Sequence, residues 1–224
     1  MCQPARADTG CMRVIAIPGF ADTPRYWVGC LRSSLPGKTT HALEWPGLWG
    51  RPSRTGPVRT MLEDVASLIT DDSVLVAHSF GARVALAAAQ TARPSGLVLL
   101  APALSTPSFL AIGEIERWKD SGCRSTTRAD PLTGGAITFA VPVAFAEDAA
   151  EMCLLPLSLP DLPMCVVCMS SDSRQNASTE QIFRAHAVRT LDGPHRFWEN
   201  ASALLAVTEA VAAWSANRFA DECE

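Results

Sequence analysis

The chain of 224 residues is poor in charge: Asp, Glu, Lys and Arg make up 19% of it, against about a quarter in an ordinary domain. It also lacks any basic excess. Nineteen Lys and Arg face 23 Asp and Glu, a formal net charge of −4. A nucleic-acid binder normally carries a basic domain, so nucleic acid is not an expected partner. No apolar run reaches the ~18 residues of a membrane span. The first residues, Met1-Cys2-Gln3-Pro4-Ala5-Arg6, have no apolar stretch of the secretory type, so a cytoplasmic location is expected. What is abundant is apolar side chain, at 48%. That excludes a disordered chain, which combines low hydrophobicity with high net charge. The length suits one domain with a substantial core and room for a small cap.

Eight cysteines are present, and in a reducing compartment they are expected to be buried thiols. Cys165 and Cys168 form C-x-x-C inside the apolar run Met164-Cys165-Val166-Val167-Cys168-Met169. Residues three apart on a strand point to opposite faces, which argues against a disulfide or a shared metal.

Short apolar runs alternate with helical patterns. Strands are expected at Met12–Ile17, His41–Trp45, Ser73–Ala77, Leu97–Ala101, Met164–Met169 and Val188–Leu191. Helices are expected at Tyr26–Leu35, Val58–Ile69, Phe80–Thr91, Ser178–His186 (capped by Ser178) and Phe197–Phe219. This rhythm predicts an α/β fold with a mostly parallel sheet covered by helices on both faces. Runs such as VLVA and LVLLA do not alternate, as suits strands buried on both sides. Ser105–Pro163 breaks the rhythm with scattered Pro and Gly. It is too long for an ordinary connection and is expected to be a cap inserted before the strand Met164–Met169. The whole chain, 1–224, then forms one domain, with a core of 12–104 and 164–219 and a cap of 105–163.

The most informative segment is Val74-Leu75-Val76-Ala77-His78-Ser79-Phe80-Gly81-Ala82. A buried strand runs through a serine directly into a helix. That is the context of a nucleophile elbow, usually G-x-S-x-G, where the crowded turn demands small residues two before and two after the serine. Here they are Ala77 and Gly81. Ser79 alone would also serve as an ordinary helix cap; the full pattern points to a nucleophile.

A nucleophilic serine needs a base, and the base needs an orienting acid. His195 lies in Asp192-Gly193-Pro194-His195 after the last expected strand, where α/β sheets place ligands. His41 and His186 sit at the opposite edge, and His78 should pack away from the elbow. Asp172 follows the strand Met164–Met169, which makes it the candidate acid, with Asp192 a weaker competitor. The order Ser79, Asp172, His195 is the one used by α/β-hydrolases. An oxyanion hole would draw one N–H from Phe80 and one from Phe20, in the turn Pro18-Gly19-Phe20.

Four segments, IPGFADTPRYW (17–27), VAHSFGA (76–82), MSSDS (169–173) and GPHRF (193–197), resemble the α/β-hydrolase superfamily of serine hydrolases. The short start at the oxyanion-loop strand is similar to the smaller esterases and thioesterases. The resemblance implies Ser79 as nucleophile, Asp172 as acid, His195 as base, and Phe20 and Phe80 as oxyanion donors. It implies hydrolysis of a carboxylic ester or thioester of a small to medium acyl group, without metal or organic cofactor. The implied partner is a small-molecule acyl substrate, with acyl-CoA or an acyl carrier protein as candidates for the basic residues Arg117, Lys119, Arg124 and Arg128. Acyl transfer to an alcohol or amine, and carbon–carbon or peptide-bond cleavage, use the same triad. A non-catalytic binding protein on this fold is the reading from another class.

Overall fold

The computed structural model describes residues 12–48, 56–106, 110–129, 135–172, 182–183, 186–197 and 200–221. Six strands form one sheet in the order β2-β1-β3-β4-β7-β8. They are β1 (Arg13–Ile17), β2 (Thr39–Ala42), β3 (Ser73–His78), β4 (Gly96–Leu100), β7 (Met164–Met169) and β8 (Ala187–Leu191). Every pairing in it is parallel. The helices are α1 (Arg25–Ser34), α2 (Pro57–Leu68), α3 (Gly81–Thr91), α4 (Ile112–Ser121), α5 (Val143–Leu154) and α6 (Ala201–Asp221). The remaining strands, β5 (Cys123–Ala129) and β6 (Ala136–Pro142), form a separate antiparallel hairpin.

The alternation of side chains along each strand divides the core in two. Ile15, Ile17, Leu75, Ala77, Leu97, Leu99, Val166 and Cys168 pack with α2, α3 and α5. Val14, Ala16, Val74, Val76, Val98, Leu100, Cys165 and Val167 pack with Trp27, Val28 and Leu31 of α1 and Ala203, Val207 and Val211 of α6. Cys165 and Cys168 therefore lie on opposite faces of the sheet, as their spacing predicts. Burial pushes the Cys165 thiol up from its ordinary pKa, and does the same to Cys153. The expectation of buried thiols does not extend to Cys123, which is exposed at the start of the hairpin, nor to the half-buried Cys30.

Two element boundaries differ from expectation for clear reasons. The edge strand β2 runs over Thr39–Ala42 rather than His41–Trp45. Its only neighbour among the described residues, β1, pairs Arg13 with Thr39 through Ala16 with Ala42, and Trp45 leaves the sheet to bury its ring completely. The last helix begins at Ala201, not Phe197, because Asn200 Oδ1 accepts from the N–H groups of Ser202 (2.9 Å) and Ala203 (3.2 Å), the bonding of an N-cap. The helix expected over 178–186 falls almost entirely outside the described residues.

Between β4 and β7 stands an insertion built from α4, β5, β6 and α5, four regular elements where the sequence suggests only broken apolar pieces. Arg83 of α3 ties it at both ends, donating to Leu104 O through Nε (2.8 Å) and to Met152 O through a terminal nitrogen (3.1 Å).

Candidate active site

Because the sheet is parallel, the C-terminal ends of its strands share one edge. Phe20 follows β1, Ser79 follows β3, Asp172 follows β7 and His195 follows β8. Loops from four strands thus bring the candidate residues to one side of the sheet.

Ser79 occupies the sharp turn between β3 and α3 with φ +52°. A left-handed conformation costs a non-glycine residue about 1–2 kcal/mol, so surrounding bonds must hold it. Ser79 N donates to Leu100 O (2.9 Å), and its carbonyl accepts from Ala82 N (3.1 Å) and Ala103 N (3.1 Å). The tightness of the turn also explains Gly81. A Cβ there would lie 2.5 Å from Pro18 O and 2.8 Å from Ile17 O, both backbone atoms that cannot swing aside. Ala77 meets no such obstacle and sits fully buried on the α2/α3 side of the sheet.

The candidate acid and the candidate base are joined directly. His195 Nδ1 lies 2.5 Å from Asp172 Oδ2. The Asp172 side chain is 2% exposed and the His195 side chain 12%, a buried orienting group beneath a ring that still reaches solvent. With the carboxylate as acceptor, Nδ1 carries a proton, and in the neutral imidazole the lone pair is then on Nε2. The two loops are laced together by Ser170 N to Leu191 O (2.9 Å) and Ser171 N to Gly193 O (3.1 Å). Asp192, the competing acid, is occupied elsewhere: its Oδ1 accepts from Ser170 Oγ (2.8 Å).

His78 is a correction. It does not pack away from the site. Residues 74, 76 and 78 share one face of β3, and this carries the His78 ring against His195. Its Nε2 lies 3.1 Å from His195 O, and the two rings stand 4.7 Å apart, with Phe197 at 5.3 Å on the same ring. The period of two along β3 was the signal that could have placed it. His41 lies within β2, opposite Ile15, away from this edge.

The turn after β1 approaches Ser79 closely. A Cβ on Gly19 would lie 3.1 Å from Ser79 Cβ and 3.1 Å from His78 Nδ1, so only glycine fits undisturbed. The Phe20 ring meets Phe80 edge-on at 5.9 Å and Phe145 at 4.8 Å, and Trp45 meets Phe145 at 5.0 Å. An aromatic cluster therefore supports both candidate donor residues from one side. Among the described residues, no group of three or more His, Cys, Asp and Glu could hold a metal ion.

The family model for the alpha/beta hydrolase family matches residues 14–221. The chain belongs to the alpha/beta hydrolase family. Solved hydrolases of the same fold include the monoacylglycerol lipase of Paleococcus ferrophilus, 18% identical, with a TM-score of 0.65 over 90% of this chain and 94% of that one. The type II thioesterase BorB of the borrelidin cluster is 14% identical, with a TM-score of 0.64 over 93% and 95%. The RedJ thioesterase of Streptomyces coelicolor is 19% identical, with a TM-score of 0.61 over 89% and 90%. No curated protein matches the sequence. As in these alpha/beta hydrolases, the parallel sheet lies between two layers of helices; no described helix is long and apolar enough to cross a membrane.

Proposed function

We propose that the protein is a serine hydrolase that cleaves a carboxylic ester or thioester through Ser79, His195 and Asp172. The observation that carries this reading is the short bond from His195 Nδ1 to the buried Asp172 carboxylate, at the same sheet edge as a serine strained to φ +52°. Ion-paired histidines are common, but a buried Asp–His pair at the same sheet edge as a left-handed serine between strand and helix supports the reading of an activated nucleophile.

In this mechanism His195 Nε2 takes the Ser79 proton as Oγ attacks the acyl carbonyl, and the imidazolium is stabilised by Asp172. The N–H groups of Phe20 and Phe80 receive the negative charge on the carbonyl oxygen, each such donor being worth about 3 kcal/mol in the transition state. His195 then protonates the departing alcohol or thiol. In the second half it removes a proton from water, which attacks the acyl-enzyme and releases the acid and free Ser79. None of these steps requires a metal or an organic cofactor.

The insertion over 105–163 serves as the cap of this site, a reading supported by the contact of Phe145 in α5 with Phe20 in the candidate oxyanion loop. The names of the lipase and the thioesterases of like fold favour an acyl ester or thioester as substrate. A phosphate-bearing acyl carrier gains no support from the basic residues of α4. Arg117 pairs with Glu114, and Lys119 with Glu116 (2.9 Å) and Glu147 (3.2 Å). Arg124 lies over the Trp118 ring at 5.7 Å.

Ser79→Ala tests the reading. Turnover of p-nitrophenyl esters and labelling by a fluorophosphonate should both disappear while the circular dichroism spectrum is unchanged. Full turnover in that variant would refute it.

A further inference from the structure

The Trp45 indole N–H donates to the carbonyl oxygen of Gly19 at 2.6 Å, with the ring fully buried. That carbonyl and the N–H of Phe20 belong to one peptide unit. A trans peptide is planar, and its C=O and N–H point in opposite directions; the described chain has no cis peptide bond. Holding Gly19 O on one side therefore fixes the direction of Phe20 N–H on the other. We propose that Trp45 is a positioning residue for the oxyanion hole, acting through the Gly19–Phe20 peptide. This rests on the serine-hydrolase reading given above.

The peptide needs such an anchor. Rotating it requires changes only at Gly19 ψ and Phe20 φ, and glycine offers no Cβ to resist them. A flipped peptide would turn Gly19 O, rather than Phe20 N–H, toward the position of the oxyanion. The next residue, Ala21, is already held at φ +49°, so the loop has strain to release by moving. Asp22 N also donates to Gly19 O, at 3.1 Å, but it lies in the same turn and would move with it. Trp45 belongs to a different segment, beyond β2, and is wedged between Phe80 at 5.9 Å and Phe145 at 5.0 Å. It is the external fixed point. Its effect belongs to the transition state, where the charge develops, and not to substrate binding.

Trp45→Phe keeps a ring in the cluster and removes the N–H. Loss of one oxyanion donor outright lowers kcat by about 10²–10³. Loss of its anchor should lower kcat about ten- to a hundredfold for p-nitrophenyl esters, with KM within about twofold. The control is Trp118→Phe, which removes a comparable buried indole bond, to Val141 O at 3.1 Å, within the insertion. It should cost a similar shift in Tm and lower kcat far less than Trp45→Phe does. Should Trp45→Phe fold poorly, 3-benzothienylalanine at position 45, with sulfur in place of N–H and the same shape, makes the same test. Unchanged kcat in a folded position-45 variant whose Ser79 is still required overturns the inference alone. An equal fall of kcat in Trp118→Phe also overturns it, as a general effect of loosened packing. Turnover retained by Ser79→Ala overturns the serine-hydrolase reading and this inference with it.

Discussion

Along β3 every residue from Ser73 to His78 is buried, whereas along β6 exposed and half-buried residues alternate from Ala136 to Ala140. The central strands are packed by side chains on both faces, so their position is determined by apolar area. The strands of the hairpin β5/β6 pair with each other in their own ladder, and the hairpin faces solvent. Polar ties to backbone groups supplement apolar packing in fixing the insertion. Arg83 holds its two ends, and Asp148 of α5 accepts from Val58 N (2.6 Å) and Arg59 N (3.0 Å) at the start of α2. The lesson is that the sheet can be weakened only by opening its core, but the insertion can be loosened by removing single polar groups.

The largest expected effect is therefore in the sheet. Leu99→Ala in β4 removes a fully buried side chain from the α2/α3 face. A cavity in such a site costs about 2–5 kcal/mol. Urea unfolding should lose that amount in one cooperative transition, with hydrogen exchange rising throughout β1, β3, β4 and β7. A loss below about 1 kcal/mol would mean the sheet is less tightly packed than its burial indicates.

Arg83→Met should cost less and act locally. It keeps the aliphatic stem and removes the guanidinium donor from Leu104 O, while Met152 O keeps the N–H of Leu155 (3.3 Å). A buried acceptor left unsatisfied, here Leu104 O, costs about 1–3 kcal/mol. Hydrogen exchange should accelerate around 104–106 and 150–155 before it does so in β3 or β4. Uniform acceleration across the sheet would show that the insertion and the core unfold as one unit, and the contrast between the two would fail.

The same contrast decides how much could be read before the fold was seen. Strands such as Val74–Ala77 and Leu97–Leu100 are legible because burial on both faces demands an unbroken apolar run. The hairpin strands CRSTTRA and AITFAVP make no such demand, so nothing in them rises above a broken pattern. The placement of Ser79, Asp172 and His195 at one edge of the sheet was legible because each follows a strand of a parallel sheet. Trp45 was not, since its bond to Gly19 spans 26 positions and depends on a loop leaving the sheet. His78 lay between these cases: its face follows from the strand period, but its contact with His195 depends on how the loop after β8 folds back.

The smallest effect separates charge from hydrogen bonding at the tie between α5 and α2. Asp148 Oδ2 receives two N–H groups from the first turn of α2, where the helix dipole favours a negative charge. The fit is close: a Cβ on Gly56, the residue before Pro57, would lie 2.7 Å from Asp148 Oδ2. Asp148→Ala removes both contributions and should cost about 0.5–2 kcal/mol, the usual range for a lost cap. Asp148→Asn keeps an acceptor oxygen and removes only the charge, so it should cost about 0.3–1 kcal/mol. Arg59 complicates the charge part, because its Nε lies 3.5 Å from Asp148 Oδ1; it also pairs with Glu151 at 2.6 Å on an exposed surface, where such pairs contribute little. Repeating both measurements in high salt resolves this. Screening should shrink the cost of Asp148→Asn and leave most of the cost of Asp148→Ala, because the bonds to Val58 and Arg59 do not depend on ionic strength. Equal costs for the two variants at every salt concentration would show that charge alone fastens the insertion here.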